Sequence, residues 1–204
     1  MIVLVTGATA GFGLAIARRF AADGARIIAA GRRQERLEAL AAELPGQVLP
    51  LALDVADRAA VEAAIAGLPA EWAAIDLLVN NAGHVLNIGS TAAEWPYPGG
   101  NVYGATKAFV RQFSYNLRAD LHGTKVRVTD IEPGLVGGTE FSTVRFGGDA
   151  EKAAGVYAGT DPLTPEDIAD IVHWVATRPA RVNVNLLQVM PVVQSFGPLR
   201  VHKE

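Results

Sequence analysis

Residues 2–13 read I-V-L-V-T-G-A-T-A-G-F-G, and this stretch decides the fold. Residues 2–5 form an unbroken apolar run, as expected of a strand buried on both faces. It passes directly into a glycine-rich turn. Leu14, Ile16, Ala17, Phe20 and Ala21 then recur at helical spacing until Gly24. Strand, glycine turn and helix in that order form a phosphate cradle. Gly7 permits the tight turn, Gly11 lets a diphosphate approach the backbone, and Gly13 lets helix pack closely on strand. Ala8, Thr9, Ala10 and Phe12 complete the loop, and the helix N-terminus supplies amide donors. The spacing is G-x-x-x-G-x-G, not the commoner G-x-G-x-x-G, and a glycine-rich loop without a ligand satisfies it too.

Strands and helices alternate beyond this turn. Residues 26–30 form a second strand ending in Gly31-Arg32-Arg33. In a dinucleotide fold that end faces the adenosine ribose, where an acid takes the 2′-hydroxyl and arginine a 2′-phosphate. Arg32 and Arg33 therefore point to NADP over NAD; two solvated arginines at a helix start are the alternative. Residues 34–44 are an amphipathic helix. Residues 48–53 are a third strand, closed by Asp54 and Val55. Asp54 can accept from an adenine amino group or cap the turn that follows. A helix over 59–68 leads to a fourth strand, 75–79, closed by Asn80, Asn81, Ala82 and Gly83. This alternation predicts an α/β fold: one doubly wound domain over 1–204, with a parallel sheet and helices on both faces.

A second stretch carries chemistry. Residues 85–89 form an apolar run ending at Ser90, and Tyr103 and Lys107 are four residues apart. Positions i and i+4 share a helix face, and a nearby cation lowers a phenol pKa. With a strand-end serine, the pair can move a proton on or off a carbinol oxygen. An exposed helix pair has the same spacing. A helix over 103–121 carries the apolar stripe Phe109, Val110, Phe113, Leu117 and Leu121. A strand over 126–131 ends in Glu132, Pro133, Gly134, Leu135 and Val136. Residues 137–160 are polar and glycine-rich, which predicts a mobile lid. Thr164-Pro165 starts a helix to Ala176, residues 185–190 form a last strand, and 191–204 form a tail suited to contacts between subunits.

Composition narrows the function. The net charge of −3 gives no electrostatic footprint for nucleic acid. There is no cysteine, and His84, His122, His173 and His202 lack metal-ligand spacing. No apolar run is of membrane-spanning length, and residues 1–6 read as a strand, not a signal peptide. The expectation is a cytoplasmic protein with no metal, membrane or nucleic-acid partner.

Together these motifs resemble the short-chain dehydrogenase/reductase family. T-G-x-x-x-G-x-G lies at residues 6–13, N-N-A-G at 80–83, the serine at Ser90, Y-x-x-x-K at 103–107 and P-G at 133–134, all in family order. G-R-R-Q-E-R-L (31–37) and D-I-E-P-G-L-V-G-G-T-E-F (130–141) look similar to the family's NADP-dependent 3-hydroxy acid dehydrogenases. The resemblance implies that Tyr103 is the general acid/base. It implies that Lys107 lowers the Tyr103 pKa and binds the nicotinamide ribose, and that Ser90 holds the substrate oxygen. It also implies that residues 7–12 cradle the phosphates of NADP and that Arg32 and Arg33 take its 2′-phosphate. Asp54 and Val55 would line the adenine, Asn80 and Asn81 border the cofactor, Pro133, Gly134, Leu135 and Val136 flank the nicotinamide, and Thr139 closes over the diphosphate.

One feature departs from the family. Four residues join the fourth and fifth strands, a reach of about 14 Å. Adjacent parallel strands need a crossover of about a dozen residues or more. By the family pattern roughly forty residues are absent, well beyond that minimum. They would carry a helix, a substrate loop and a catalytic asparagine, a role no residue here takes. Three explanations are open: the segment belongs to the molecule but not to this sequence, it is deleted and the strands rearrange, or two copies exchange strands. The expected activity is NADP-dependent oxidation of a small 3-hydroxy acid such as serine, allo-threonine or 3-hydroxypropionate, by a homo-oligomer (dimer or tetramer, including a domain-swapped one). A carbonyl or 3-oxoacyl reductase is one alternative, and a truncated NADP-binding or assembly variant without catalysis is another.

Overall fold

The opening apolar run forms β1 (Ile2–Thr6), and a computed structural model describes residues 1–79 and 84–196 around it. Then follow α1 (Gly11–Ala22), β2 (Arg26–Gly31), α2 (Gln34–Glu43), β3 (Val48–Ala52), α3 (Arg58–Ala66), β4 (Leu77–Val79) and β5 (His84–Ile88). The second half gives α4 (Asn101–Asp120), β6 (Arg127–Pro133), α5 (Phe141–Arg145), α6 (Ala150–Gly155), α7 (Pro165–Ala176) and β7 (Leu186–Val189). The seven strands run parallel in the order β3-β2-β1-β4-β5-β6-β7. This is the doubly wound sheet that alternation predicts.

Strand alternation divides β1 between two cores. Val3 and Val5 join Ile16, Phe20, Ile168 and Val172 of α1 and α7, whereas Ile2 and Leu4 join Ile28, Ala30 and Leu78. Phe20 has no exposed surface, so truncating it to alanine costs about 3–5 kcal/mol. Helix α7 begins with a reciprocal capping box between Thr164 and Asp167, with Pro165 at its first turn.

The layer beneath α4 differs. Arg111 donates to buried Glu132 through Nε (2.6 Å) and Nη2 (2.5 Å), and Asn87 donates to Ser114 Oγ at 2.8 Å. The sheet thus presents polar groups to α4, and the inner face of the helix answers them. The predicted apolar stripe is corrected accordingly: Phe109 is 68% exposed and Phe113 47%, stacked 6.1 Å apart on the outer face.

Two further segments have defined structure. Residues 137–160, expected as a lid, contain α5 and α6. Asp149 caps α6 by accepting from Lys152 N, and the hydroxyls of Ser142 and Tyr157 meet at 2.6 Å. The tail, as far as it is described, folds back over the strand ends, where Gln194 accepts from Leu135 N at 2.7 Å.

The fourth and fifth strands do lie side by side and parallel within one chain, with Leu78 opposite Val85. Strand β4 is three residues long, and β5 also pairs with β6 over its whole length. Asn80 and Asn81, with the rest of the connector, lie outside the described residues.

Candidate active site

The turn after β1 is built to receive a diphosphate. Gly7 and Gly11 adopt φ of 66° and 52°, where side-chain-bearing residues are strained. A Cβ on Gly13 would run into the Gly7 carbonyl oxygen, so α1 starts hard against the turn. Ala10 at the N-cap has no side-chain oxygen to cap α1, and the first turn carries no acid. Its amides and positive dipole end therefore face the cleft uncompensated. Ala8 is buried and donates to Ala30 O at 3.1 Å, while Ala10, Gly11 and Phe12 line the cleft.

An anion site lies beside the cradle. The Thr9 hydroxyl accepts from Arg33 Nε (3.2 Å) and Nη2 (3.0 Å). The Glu140 carboxylate bridges Arg33 Nη1 (3.1 Å) and Arg36 Nη1 (3.0 Å), and the two arginines hold its pKa below the usual carboxylate range. A tethered anion thus sits on Arg33, one of the two donors expected for a 2′-phosphate, and on Arg36, which was not expected there. Arg32, the other expected donor, is exposed and makes no side-chain hydrogen bond among the described residues. The signal was present, because Arg33 and Arg36 are three apart at a helix start and share a face. Asp54 caps its own turn by accepting from Ala56 N at 3.0 Å, and Val55 is 58% exposed.

Ser90, Tyr103 and Lys107 meet in one cleft of about 680 Å³, which also takes in Pro133, Gly134, Leu135, Val136 and Thr139. Ser90 lies beyond the end of β5, its hydroxyl accepting from Ala92 N at 3.2 Å. Tyr103 and Lys107 occupy successive turns of α4, with Lys107 Nζ 5.7 Å from the phenol ring centre. Burial, with Tyr97 nearby, raises the Tyr103 pKa, while Ser90 and the charge of Arg145 oppose the rise. The Lys107 ammonium donates to Ile88 O at 2.9 Å. Burial lowers the Lys107 pKa in turn, against the opposing charges of Asp130 and Glu132.

Other cleft residues were not legible in sequence. Three consecutive residues of the 137–160 segment touch three parts of the site. The Thr139 methyl would lie 3.7 Å from a Cβ on Gly11, Glu140 bridges the arginines, and the Phe141 ring lies 5.4 Å from that of Tyr103. Arg145, Tyr157, Gln194 and Phe196 also line the cleft, and Phe196 packs 4.2 Å from Trp95.

Cradle, anion site and serine–tyrosine–lysine cluster along the C-terminal ends of a parallel sheet define a nucleotide-dependent dehydrogenase site. The chain belongs to the short-chain dehydrogenase family, whose model matches residues 1–85 and 82–147. It is 56% identical to the NADP-dependent 3-hydroxy acid dehydrogenase YdfG of Salmonella typhi and 45% identical to the serine 3-dehydrogenase of Rhizobium radiobacter, covering 100% and 99% of this chain and 100% and 98% of theirs. The closed form of a serine dehydrogenase complexed with NADP+ matches it with a TM-score of 0.97 at 54% identity, covering 100% of both chains. The alignment with the Salmonella typhi protein spans 247 positions against 204 residues here, so that protein carries about 43 positions this chain lacks. The two blocks of the family match meet at residues 82–85, at the β4–β5 connector. No helix among the described residues is long and apolar enough to cross a membrane.

Proposed function

We propose that this chain catalyses reversible oxidation of a small 3-hydroxy acid with NADP. The observation that carries the reading is that Ser90, Tyr103 and Lys107 share one cleft with Ala10, Gly11 and Phe12 of the glycine turn, and that Glu140 on the same cleft joins it to Arg33 and Arg36. Residues 7–12 would hold the diphosphate, and Arg33 and Arg36 the 2′-phosphate. Thr139 and residues 133–136 would flank the rest of the cofactor. Bound NADP supplies the hydride acceptor. Tyr103, as phenolate, takes the proton of the substrate hydroxyl. Ser90 donates to the same oxygen and holds it in place. Lys107, 5.7 Å from the phenol ring, keeps positive charge near the phenolate. Similarity to a 3-hydroxy acid dehydrogenase and a serine 3-dehydrogenase supports the substrate class.

We further infer that the chain acts as a homo-oligomer, because Phe109 and Phe113 on the outer face of α4 expose a stacked aromatic pair that another copy would cover.

The reading is tested by following NADP reduction with serine, allo-threonine and 3-hydroxypropionate, with NAD alongside. Turnover with NADP well above NAD supports it. NADPH binding without turnover on any hydroxy acid would instead favour a non-catalytic relative.

A further inference from the structure

We infer that Arg145 is the residue that selects an acid as substrate, by pairing with its carboxylate. This rests on the hydroxy-acid reading above. Arg145 ends α5, and among the described residues it and Lys107 are the cations lining the cleft. Lys107 is committed to Ile88 O. The neighbouring arginines are committed too, Arg33 and Arg36 to Glu140 and Arg111 to Glu132 and Glu94. Glu140 is the acidic side chain among the described cleft residues, and its charge is already spent on the arginine pair.

Arg145 has no such partner among the described residues. Among the described residues its guanidinium contacts no carboxylate and lies instead over two aromatic rings, 5.4 Å from the centre of Tyr97 and 5.6 Å from that of Phe146. Stacking of this kind fixes the plane of the group and leaves its N–H edge free for a planar bidentate anion. The site also lies close enough to the chemistry, because the positive charge of Arg145 acts on the Tyr103 phenol. A 3-hydroxy acid carries its carboxylate two carbons from the reacting carbinol. It can therefore bridge Tyr103 and Ser90 at one end and a cation at the other. A neutral alcohol or carbonyl compound leaves that cation unpaired.

The test compares 3-hydroxypropionate with its amide, which keeps the shape and removes the charge, in the wild type, Arg145→Lys and Arg145→Gln. A charge-assisted pair contributes enough to predict that Arg145→Gln loses roughly 10- to 100-fold of the preference for acid over amide in kcat/KM, mainly through KM. Arg145→Lys keeps part of it, because charge survives without the fork. A preference unchanged within twofold in Arg145→Gln, or a wild type with no preference for the acid, overturns the assignment. Calorimetric titration of the two compounds onto NADPH-loaded protein gives the same comparison without turnover. Arg145-dependent binding of the acid with no catalysis would sink the enzymatic reading and keep this one. Equal binding of acid and amide would sink this one whether or not the protein turns over.

Discussion

Lys107 donates to the carbonyl oxygen of Ile88 at 2.9 Å while its ammonium lies 5.7 Å from the centre of the Tyr103 ring. The ammonium is held at the end of β5 while the phenol is desolvated beneath Phe141, and burial raises the Tyr103 pKa. Forming the phenolate for oxidation works against that burial.

Ser90 favours the phenolate, because its hydroxyl lowers the Tyr103 pKa against the effect of burial. Replacing Ser90 with alanine is predicted to move the rising limb of the kcat profile for oxidation to higher pH, since the phenol then ionises later. A limb that stays in place or moves to lower pH would separate Ser90 from the tyrosine.

Glu140 bridges Arg33 and Arg36, the arginines proposed to hold the 2′-phosphate, and so competes with it. Glu140→Gln should bind NADPH about three- to tenfold tighter, the size expected when exposed ion pairs no longer compete. NADH, which lacks the 2′-phosphate, should gain nothing. Weaker NADPH binding would mean that the carboxylate assists the site instead of competing for it.

Asp130 lies beneath α4 with both carboxylate oxygens buried and unpartnered, and its pKa is pushed up to about 7, first by burial and then by Glu132. The native protein therefore holds the proton over a range where the unfolded chain, near 3.8, has released it. By linkage the stability from this group is present at low pH and is lost as pH rises from about 4 through about 7. Asp130→Asn should gain on the wild type across that window, read as urea midpoints at pH 5 and pH 8. A difference independent of pH would show that Asp130 does not titrate with folding. A slope of opposite sign would show the same.

Removing the outward aromatics tests assembly. Phe109→Ser with Phe113→Ser should shift the sedimentation coefficient toward a monomer and leave the fold intact, because neither ring belongs to a core cluster. An unchanged coefficient would place any contact between copies elsewhere.

Local patterns in the sequence were enough to read much of this. The β1 run, the glycine turn and α1 are set by adjacent residues, and Thr164 and Asp167 mark the start of α7 four residues at a time. What stayed hidden depends on contacts distant in sequence. The outer placement of Phe109 and Phe113 follows from Asp130 and Glu132 on another element, which make the sheet face under α4 polar. Glu140 and Arg145 sit in a segment without periodicity, and they matter because the strand order brings that segment over the cradle and Tyr103. The β4–β5 joint is legible as an anomaly in the sequence, and the apolar run there overstates the length of β4 by two residues.

The most direct test of the proton-transfer role is Tyr103→Phe, measured for NADPH affinity and for turnover of the best 3-hydroxy acid in the same preparation. Removing a general acid/base from an otherwise intact site should cut kcat by about 10²–10⁴-fold, with the NADPH dissociation constant held within twofold. Turnover retained within tenfold, or NADPH binding lost along with it, would contradict the placement of Tyr103 at the reacting oxygen.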